Sequence, residues 1–338
     1  MQKISRFAHA ISGLCYTPPM VNIVNIEAFK QARRPLFNSE EELTDFINSI
    51  FSKHNRSFRV NELAITPEKL IQFPSFKEAL LEPTTWDPSI FNVKEGDISG
   101  ECLEHFAGLF YLQNLSSTLP VTVLSPEEGE IVLDMCASPG SKTTQAAIMM
   151  KNRGTLIAND ISWKRMMPLS ANLPRLGLSN TIITRTQGQL FGCNYPEYFD
   201  KIILDAPCSG EGSWYKHNNT KAIFKQSFVN KCTNIQKDLA VSAFKALKPG
   251  GTMVYSTCTF SIEENEEIVD FILKFSSGNL KTAEINLEIP GRTEGVLHHK
   301  KNSFHSDVRN SIRIYPHKTG LPGFFLTKLV KSKPGYKS

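Results

Sequence analysis

The stretch "EIVLDMCASPGSKTTQAAIMMKNRGTLIAND" (130–160) decides the fold class of this chain. Its apolar beginning, residues 130–136, predicts a short buried strand, and residues 142–152 have the composition of a helix. Residues 154–160 predict a second strand. A strand, a helix and a strand in such close succession indicate one βαβ unit of a parallel sheet.

The same alternation continues toward the end of the chain. Further strands are predicted at 180–186, 198–207, 250–258 and 323–331, and further helices at 163–177, 226–247 and 262–276. Pro168 and Pro174 are expected to kink or shorten the helix at 163–177. This order predicts a mostly parallel sheet with helices on both faces.

Residues 1–118 have a different pattern. A helix is predicted at 39–54, where Ser39 and Glu42 have the spacing of a capping box, and a short strand lies in residues 57–63. Prolines that mark turns follow this strand. The sequence therefore predicts a small α+β module at residues 1–118, followed by a larger domain at residues 119–338.

Composition sets the broad class of the protein. Seven cysteines spread over 338 residues do not form a disulfide framework or a zinc-ligand pattern, so no metal is expected. There is no run of 18 apolar residues, and the first 26 residues make a poor secretory signal, although a mitochondrial presequence stays open. We expect a cytoplasmic protein without a membrane segment. The net charge of +5 is compatible with a polyanionic partner but does not establish one.

The turn "DMCASPGSKTT" (134–144) indicates a ligand-binding loop between the first strand and its helix. It is not a phosphate-binding loop, because Ser141 separates Gly140 from Lys142, and a dinucleotide fingerprint needs more than its one glycine. Asp160 ends the next strand, where an acid can accept hydrogen bonds from a ribose diol. A nucleotide-like ligand and a purely structural turn both remain open.

Two other strands end in thiols. Asp205 and Cys208 close the strand at 198–207 in "LDAPCSGEG", and Cys258 closes the next strand in "MVYSTCTFSIEENE". A single cysteine is more often a buried core residue than a catalytic one. Two cysteines and an aspartate at the carboxyl ends of one parallel sheet point into the same crevice, so together they favour an active site.

These motifs, with "EHFAGLFYLQNLSS" (104–117) and "RIYPHKTGLPGFFLTKL" (313–329), closely resemble the Nop/Sun family of S-adenosylmethionine-dependent RNA cytosine-C5 methyltransferases. Among its members the chain looks most like the bacterial enzymes that act on 16S ribosomal RNA. The resemblance implies a Rossmann-like class I methyltransferase fold with a mostly parallel seven-stranded sheet, and a monomer that binds RNA.

The resemblance also implies a role for each candidate catalytic residue. Cys258 corresponds to the nucleophile that adds to C6 of cytosine, and Asp205 to the group that hydrogen-bonds the N3/N4 edge of the base. Cys208 corresponds to the cysteine that aids loss of the C5 proton and release of the methylated RNA. Lys216 and Arg59 match family positions expected to contact the substrate, although Arg59 could instead be structural.

The cofactor implied is S-adenosylmethionine. The residues that match its binding site are Cys136, Ala137, Ser138, Pro139, Gly140, Ser141, Lys142, Asp160, Arg165 and Asp205. Two positions depart from the family pattern. Gln187 stands where an aspartate usually contacts adenine, and Asn114 stands where an acid is more common after Gln113. We predict that Gln187 still lies against the adenine.

Three alternatives accompany this interpretation. The chain could methylate cytosine in transfer RNA, or it could be an RNA-binding assembly factor with weak or no catalysis, and Gln187 is the one feature that favours the latter. DNA is disfavoured as a substrate, because DNA cytosine methyltransferases place their nucleophile in the Pro-Cys motif, the position of Cys208 here.

Further candidate RNA contacts are the scattered cations Arg33, Arg34, Lys53, His54, Arg56, Lys221 and Lys225.

Overall fold

The computed structural model describes residues 25–216 and 223–333. The signal-like features of the first residues lie almost wholly outside these ranges, and Lys221 lies outside them as well. Among the helices in the described ranges, none has both the length and the apolar character that a membrane crossing requires.

The described chain alternates short strands with helices. The α-helices are α1 (Ile26–Arg33), α2 (Glu40–Ser49), α3 (Pro67–Leu70), α4 (Leu103–Phe106), α5 (Leu115–Leu124), α6 (Ser141–Met149), α7 (Trp163–Arg175), α8 (Phe191–Asn194), α9 (Gln226–Ala246), α10 (Glu266–Phe275) and α11 (Pro316–Thr319). The strands are β1 (Ser57–Val60), β2 (Leu80–Pro83), β3 (Ile90–Glu95), β4 (Phe110–Leu112), β5 (Ile131–Asp134), β6 (Thr155–Asn159), β7 (Thr181–Thr184), β8 (Phe199–Asp205), β9 (Leu247–Thr257), β10 (Leu280–Ala283), β11 (Thr293–Glu294), β12 (His298–His299), β13 (Asn302–Ser303), β14 (Ile312–Ile314) and β15 (Phe324–Lys331). Short 3₁₀ helices lie at Arg34–Leu36, Pro74–Phe76, Gly188–Leu190, Glu211–Lys216 and Ser306–Asn310.

The N-terminal part contains a four-stranded antiparallel sheet in the order β2-β3-β1-β4. The capping box at the start of α2 is present, since the Glu42 amide donates to Ser39 Oγ at 3.1 Å and the Glu42 carboxylate accepts from the Asn38 amide at 3.0 Å. The predicted helix is too long at its end, because α2 stops at Ser49 and the chain must turn before β1 can pair with β3 and β4.

The larger sheet has a parallel centre and an antiparallel edge. Its order is β11-β14-β15-β9-β8-β5-β6-β7, and β10 also pairs with β15. The five strands from β9 to β7 are parallel, whereas β15 runs antiparallel to β9. The sheet therefore has nine strands where the resemblance implied seven. The additional strands are short segments at this edge: β10 and β14 pair with different parts of β15, and β11 pairs with β14.

Helices cover both faces of this sheet, as predicted. In β5, Val132 faces one core with residues of α5, α6 and α7, while Leu133 faces a second core with residues of α9 and α10. This alternation follows from the two-residue period of a strand. Both faces of the central strands β5 and β8 are therefore largely buried, which explains their apolar sequence, whereas Ile182 of the edge strand β7 is exposed.

Two predicted helices are shorter in the structure. α7 includes Pro168 and Pro174 but ends at Arg175, two residues earlier than predicted, and its buried Met166, Leu169 and Leu173 pack against the core. α10 begins at Glu266 rather than at residue 262. The residues just before it form a turn whose side chains are engaged elsewhere: Glu264 accepts from Ser209, and Asn265 Oδ1 accepts from the Thr257 hydroxyl at 2.6 Å.

The chain order reverses between β5 and β8. The strands β5, β6 and β7 extend to one side, and β8 and β9 to the other. Such a switch point leaves a crevice beyond the carboxyl ends of the strands. The loops that follow β5, β8 and β9 carry Cys136, Cys208 and Cys258, so the fold brings all three predicted site segments to this crevice.

Candidate active site

A cavity of about 340 Å³ opens at this crevice. Its lining includes most of the predicted site: Cys136, Ala137, Ser138, Pro139, Ser141, Lys142, Asp205, Lys216 and Cys258. The segment at residues 313–329 contributes Gly323 and Phe324 to one wall of the cavity. Glycine is required at 323, because a Cβ atom there would lie 2.1 Å from the Phe260 ring.

The two thiols predicted to work together are neighbours. Cys208 Sγ and Cys258 Sγ lie 3.5 Å apart, and both residues are half-buried. Of the two, Cys258 lines the cavity and Cys208 does not. A hydrogen bond from the Cys208 thiol lowers the pKa of Cys258 to about 7, and the same contact, with burial, raises the pKa of Cys208. The pair therefore carries one negative charge readily, and Cys258 is the thiol that holds it.

Asp205 is held from two sides. Lys142 Nζ donates to Asp205 Oδ2 at 2.7 Å, and the Ser256 hydroxyl donates to Asp205 Oδ1 at 2.8 Å. Lys142 is almost fully buried and also donates to Ser117 Oγ at 3.0 Å. A carboxylate whose two oxygens both accept hydrogen bonds, one of them from a buried lysine, has little freedom to reorient, so Asp205 has a fixed position on the cavity wall.

Asp134, the last residue of β5, was not among the predicted site residues. It is fully buried and lines the cavity, and the Thr143 hydroxyl donates to its Oδ2 at 2.6 Å. Burial raises the pKa of Asp134 to about 7, and its Oδ1 has no protein partner within the described residues. Its place at the end of the first strand was the signal that could have identified it, since ligands of such sheets bind beyond strand ends.

The loop between β5 and α6 presents backbone to the cavity. Gly140 has φ +108°, a backbone conformation that residues other than glycine rarely adopt, and it packs against Leu169. The loop leads directly into the N-terminus of α6, where unpaired N–H groups favour electronegative ligand atoms.

Asp160 and Arg165 support this loop from the next strand. Asp160 is buried, and its carboxylate accepts from the Ser138 amide at 3.4 Å and from the Ser162 amide at 2.9 Å. Arg165 donates to the Ser138 carbonyl at 3.3 Å. Neither residue lines the 340 Å³ cavity, so they lie on the β6 side of the loop rather than on the cavity wall.

The two departures from the family pattern differ in their structural setting. Gln187 is exposed, precedes a 3₁₀ helix and does not line the cavity. Asn114 caps α5, because its Oδ1 accepts from the Ser116 amide at 3.0 Å, and its Nδ2 donates to the Tyr215 hydroxyl at 2.5 Å. A carboxylate at 114 could cap the helix but could not donate to Tyr215.

The predicted RNA contacts are divided between surface and interior. Lys216 is exposed at the cavity and lies 5.7 Å from the centre of the Tyr215 ring. Arg59 is buried, donates to Gln113 Oε1 at 3.2 Å and to Thr144 Oγ1 at 3.0 Å, and burial lowers its pKa to about 10. Of the two roles considered for Arg59, its position favours the structural one, a link between β1 and α6.

The prediction that Arg33 is a cation available for RNA contact is wrong. Arg33 is fully buried, and its guanidinium donates to both carboxylate oxygens of Glu211 at 2.9 and 2.5 Å. Glu211 also accepts from the Phe260 amide at 3.2 Å. This ion pair therefore ties α1 to the loop after Cys208 and to the loop after Cys258.

A second buried carboxylate joins the same two loops. Glu264 accepts from the Ser209 amide at 2.8 Å and from the Ser209 hydroxyl at 2.5 Å, and that hydroxyl lies 2.7 Å from Thr259 Oγ1. Ser209 follows Cys208, and Thr259 follows Cys258. Sequence reasoning missed Glu211 and Glu264, because acidic residues after a strand are usually solvated and only the fold places them beneath the thiols.

Comparison with known proteins identifies two matching family models. The model described as the N-terminal domain of 16S rRNA methyltransferase RsmF matches residues 27–115. The model described as 16S rRNA methyltransferase RsmB/F matches residues 121–330, which is more than half of the chain.

Individual relatives agree with these models. The chain is 36% identical over 322 residues to a ribosomal RNA small subunit methyltransferase F of Serratia proteamaculans, and 38% identical over 323 residues to one of Vibrio campbellii. Each alignment covers 92% of this chain, but only 65% and 64% of the respective relatives, so the chain spans less than two thirds of their length.

A solved structure supports the fold. The structure of a methyltransferase homolog protein from Pyrococcus horikoshii is 29% identical, with a TM-score of 0.75, over 90% of this chain and 99% of that one. The predicted family resemblance and the Rossmann-like α/β fold are thereby confirmed. The chain belongs to the 16S rRNA methyltransferase RsmB/F family.

Proposed function

We propose that this chain methylates C5 of a cytosine in 16S ribosomal RNA, with S-adenosylmethionine as methyl donor. The observation that carries the proposal is the pair of thiols 3.5 Å apart, with Cys258 lining a cavity that Asp205 and Lys142 also line. Family membership and the names of the relatives support the ribosomal RNA as substrate.

The residues around the cavity fit the cofactor. The β5–α6 loop offers backbone and the α6 N-terminus, and Asp134 offers a buried carboxylate oxygen without a protein partner in the described ranges. We assign the cofactor to residues 136–142, Asp160, Arg165, Gln187 and Asp205. When bound, S-adenosylmethionine supplies an electrophilic methyl group on a sulfonium.

The chemistry of the chain's own residues follows from their positions. Cytosine C5 is a weak nucleophile, and addition of the Cys258 thiolate to C6 converts the ring into an enamine that is nucleophilic at C5. A thiolate is needed, and the hydrogen bond from Cys208 stabilises it. Asp205, fixed by Lys142 and Ser256, lies at the N3/N4 edge of the base in this proposal. Its carboxyl group accepts a hydrogen bond from the N4 amino group and passes a proton to N3 as the thiolate adds to C6, which neutralises the negative charge that addition places on the ring.

Cys208 acts after methylation. As the C5 proton is lost to solvent, the electrons of the C5–H bond form the C5–C6 double bond again and the C6–Sγ bond breaks. The Cys208 thiol, 3.5 Å from Cys258 Sγ, aids this release by donating a hydrogen bond to the departing Cys258 thiolate. The target base must turn out of the RNA helix to reach the cavity, as enzymes that modify bases require. Lys216 is an exposed cation in the lining of the cavity and is available to the RNA. The proposal includes a monomeric cytoplasmic enzyme that uses no metal.

The test is methyl transfer from labelled S-adenosylmethionine to total RNA from cells that lack this protein. Wild type should label 5-methylcytosine in the small-subunit ribosomal RNA, and Cys258→Ala should not. Cys193→Ala, which removes an exposed cysteine, is the matched control and should retain activity. Label in transfer RNA instead would select the alternative substrate. A folded wild type that binds RNA but transfers no methyl group would favour the assembly-factor alternative.

A further inference from the structure

A second cavity, of about 400 Å³, adjoins the active site. Residues common to the walls of both cavities are Leu112, Gln113, Asn114, Lys216 and Pro322. The two cavities therefore share a wall: the first is lined by Cys258, and the second by residues of the loop between α2 and β1. We call the second cavity the flanking groove. Its size is in the range of pockets that hold small ligands.

The flanking groove is positively charged. Lys53, Arg56 and Lys216 line it, and no carboxylate belongs to its lining within residues 25–216 and 223–333. Arg56 is held in place by Asp97, whose Oδ1 lies 3.0 Å from Nε, and by the Ile98 carbonyl, which accepts from Nη1 at 2.8 Å. A guanidinium has five N–H donors, so these contacts leave donors for an anion.

The groove also has groups suited to a base. Tyr215 lines it and packs edge-on against His54, with ring centres 4.7 Å apart. The Gly320 carbonyl accepts from His54 Nδ1 at 3.1 Å, which joins the two sides of the groove, and burial lowers the pKa of His54. The amides Asn55 and Asn92 line the same space. An aromatic ring, amides and cations together are the chemistry that binds single-stranded nucleic acid.

We infer that the flanking groove binds the nucleotide next to the target cytidine, with its phosphate at Lys53 and Arg56 and its base beside Tyr215. This inference rests on the proposed function, because it presupposes an RNA base in the adjoining cavity. A target base turned out of its helix carries its neighbouring phosphates with it. The flanking groove is a basic cavity that shares a wall with the cavity lined by Cys258. The α2–β1 loop then positions the RNA strand for the catalytic domain.

The inference is tested with Lys53→Gln/Arg56→Gln and a matched control, Lys69→Gln/Lys77→Gln. The control removes two exposed cations from the same N-terminal part of the chain, but outside the groove. The probe is a short, fluorescent single-stranded RNA with one central cytidine, titrated in the presence of S-adenosylhomocysteine. The groove variant should bind at least roughly tenfold more weakly than wild type, the loss expected for a charged hydrogen bond.

Salt dependence and a neutral linkage locate the phosphate in the groove. For single strands, the slope of log affinity against log salt should become shallower by about 0.7 for each phosphate that no longer has a cation beside it. A second RNA carries an uncharged methylphosphonate in place of the phosphate next to the cytidine. Wild type should bind this RNA more weakly than normal RNA, by about the same factor as the groove substitutions cause. The groove variant should bind the two RNAs equally well. The control variant should respond to the methylphosphonate as wild type does.

The substitution Asp97→Asn should change RNA affinity in the opposite direction. It removes the carboxylate that competes for Arg56 and should tighten RNA binding severalfold, an effect that a merely destabilised loop would not produce. Equal RNA affinity and equal salt slopes for the groove and control variants would overturn the inference. Failure of the proposed function would show separately, as wild-type protein that transfers no methyl group to RNA.

Discussion

Cys208 Sγ and Cys258 Sγ lie 3.5 Å apart although 50 residues separate them along the chain. The distance follows from the sheet, because β8 and β9 are parallel neighbours in which Asp205 pairs with Ser256. Cys208 follows Asp205 by three residues, and Cys258 follows Ser256 by two. One thiol can then stabilise the thiolate of the other, whereas two thiolates would repel each other.

The first prediction separates the roles of the two cysteines. Cys208→Ser should accumulate RNA covalently bound through Cys258, because the adduct forms but is not released efficiently. Cys258→Ser should form no adduct. Denaturing gels of protein incubated with RNA and S-adenosylmethionine would show the difference as a slow-migrating band. Adducts in Cys258→Ser but not in Cys208→Ser would show that Cys208 is the nucleophile and Cys258 the cysteine that aids release.

The second prediction concerns pH. The pKa of Cys258 is lowered to about 7, so its thiolate predominates above that pH, and its alkylation by iodoacetamide should reach half its maximal rate near pH 7. The hydrogen bond from Cys208 is the largest cause, so in Cys208→Ala the midpoint should rise by at least about one unit. Mass spectrometry of the Cys258 peptide measures the rate at each pH. Identical midpoints in the two proteins would show that Cys208 does not stabilise the thiolate.

The third prediction compares two Lys–Asp pairs at opposite ends of β8. Lys142→Met breaks the pair between the buried Lys142 and Asp205, and Lys248→Met breaks a pair of the same 2.7 Å length between the exposed Lys248 and Asp200. Methyl transfer should fall by roughly 10²-fold or more in Lys142→Met, since the carboxylate loses its fixed position. Lys248→Met should retain activity and lose at most about 1 kcal/mol of stability. Comparable activity in both variants would remove Lys142 from the active site.

The fourth prediction concerns the buried pair of Arg33 and Glu211. Arg33→Met leaves an unpaired carboxylate in the interior and should lower the free energy of unfolding by about 3–5 kcal/mol. Arg33→Met/Glu211→Gln removes that charge but keeps an acceptor for the Phe260 amide, so it should be more stable than Arg33→Met alone. Urea denaturation measures both.

A matched control for this pair is available in α1. Lys30→Met breaks an exposed pair with Glu27 and should change the free energy of unfolding by less than about 1 kcal/mol. If the double variant were no more stable than Arg33→Met, the cost would come from poorer packing rather than from an unpaired charge.

The fifth prediction tests whether Gln187 contacts the cofactor. Gln187→Ala should weaken S-adenosylmethionine binding by roughly two- to tenfold, as expected for the loss of one hydrogen bond. Gln189→Ala, two residues further along and within the 3₁₀ helix that Gln187 precedes, is the control. Calorimetric titration gives both affinities. Wild-type affinity in Gln187→Ala would show that this side chain does not lie against the adenine.

Local patterns were sufficient for the parallel half of the fold. The strands β5, β6, β8 and β9 bury residues on both faces, so each contains an apolar run next to turn residues. In the edge strand β7, Ile182 is exposed. The short strands β10, β11 and β14 have no such pattern, because they exist only through pairing with β15 or with each other. The persistence of α7 through Pro168 and Pro174 is likewise a tertiary effect.

The sequence by itself predicted which residues form the candidate site. Asp205, Cys208 and Cys258 end or follow predicted strands, and the carboxyl ends of parallel strands lie at one edge of a sheet. Only the tertiary structure decided what surrounds them. Arg33 lies 178 residues from Glu211, and its burial depends on α1 packing onto the loop after Cys208. No local periodicity encodes such a contact, because its energy arises from desolvation and pairing that exist only once the chain has folded.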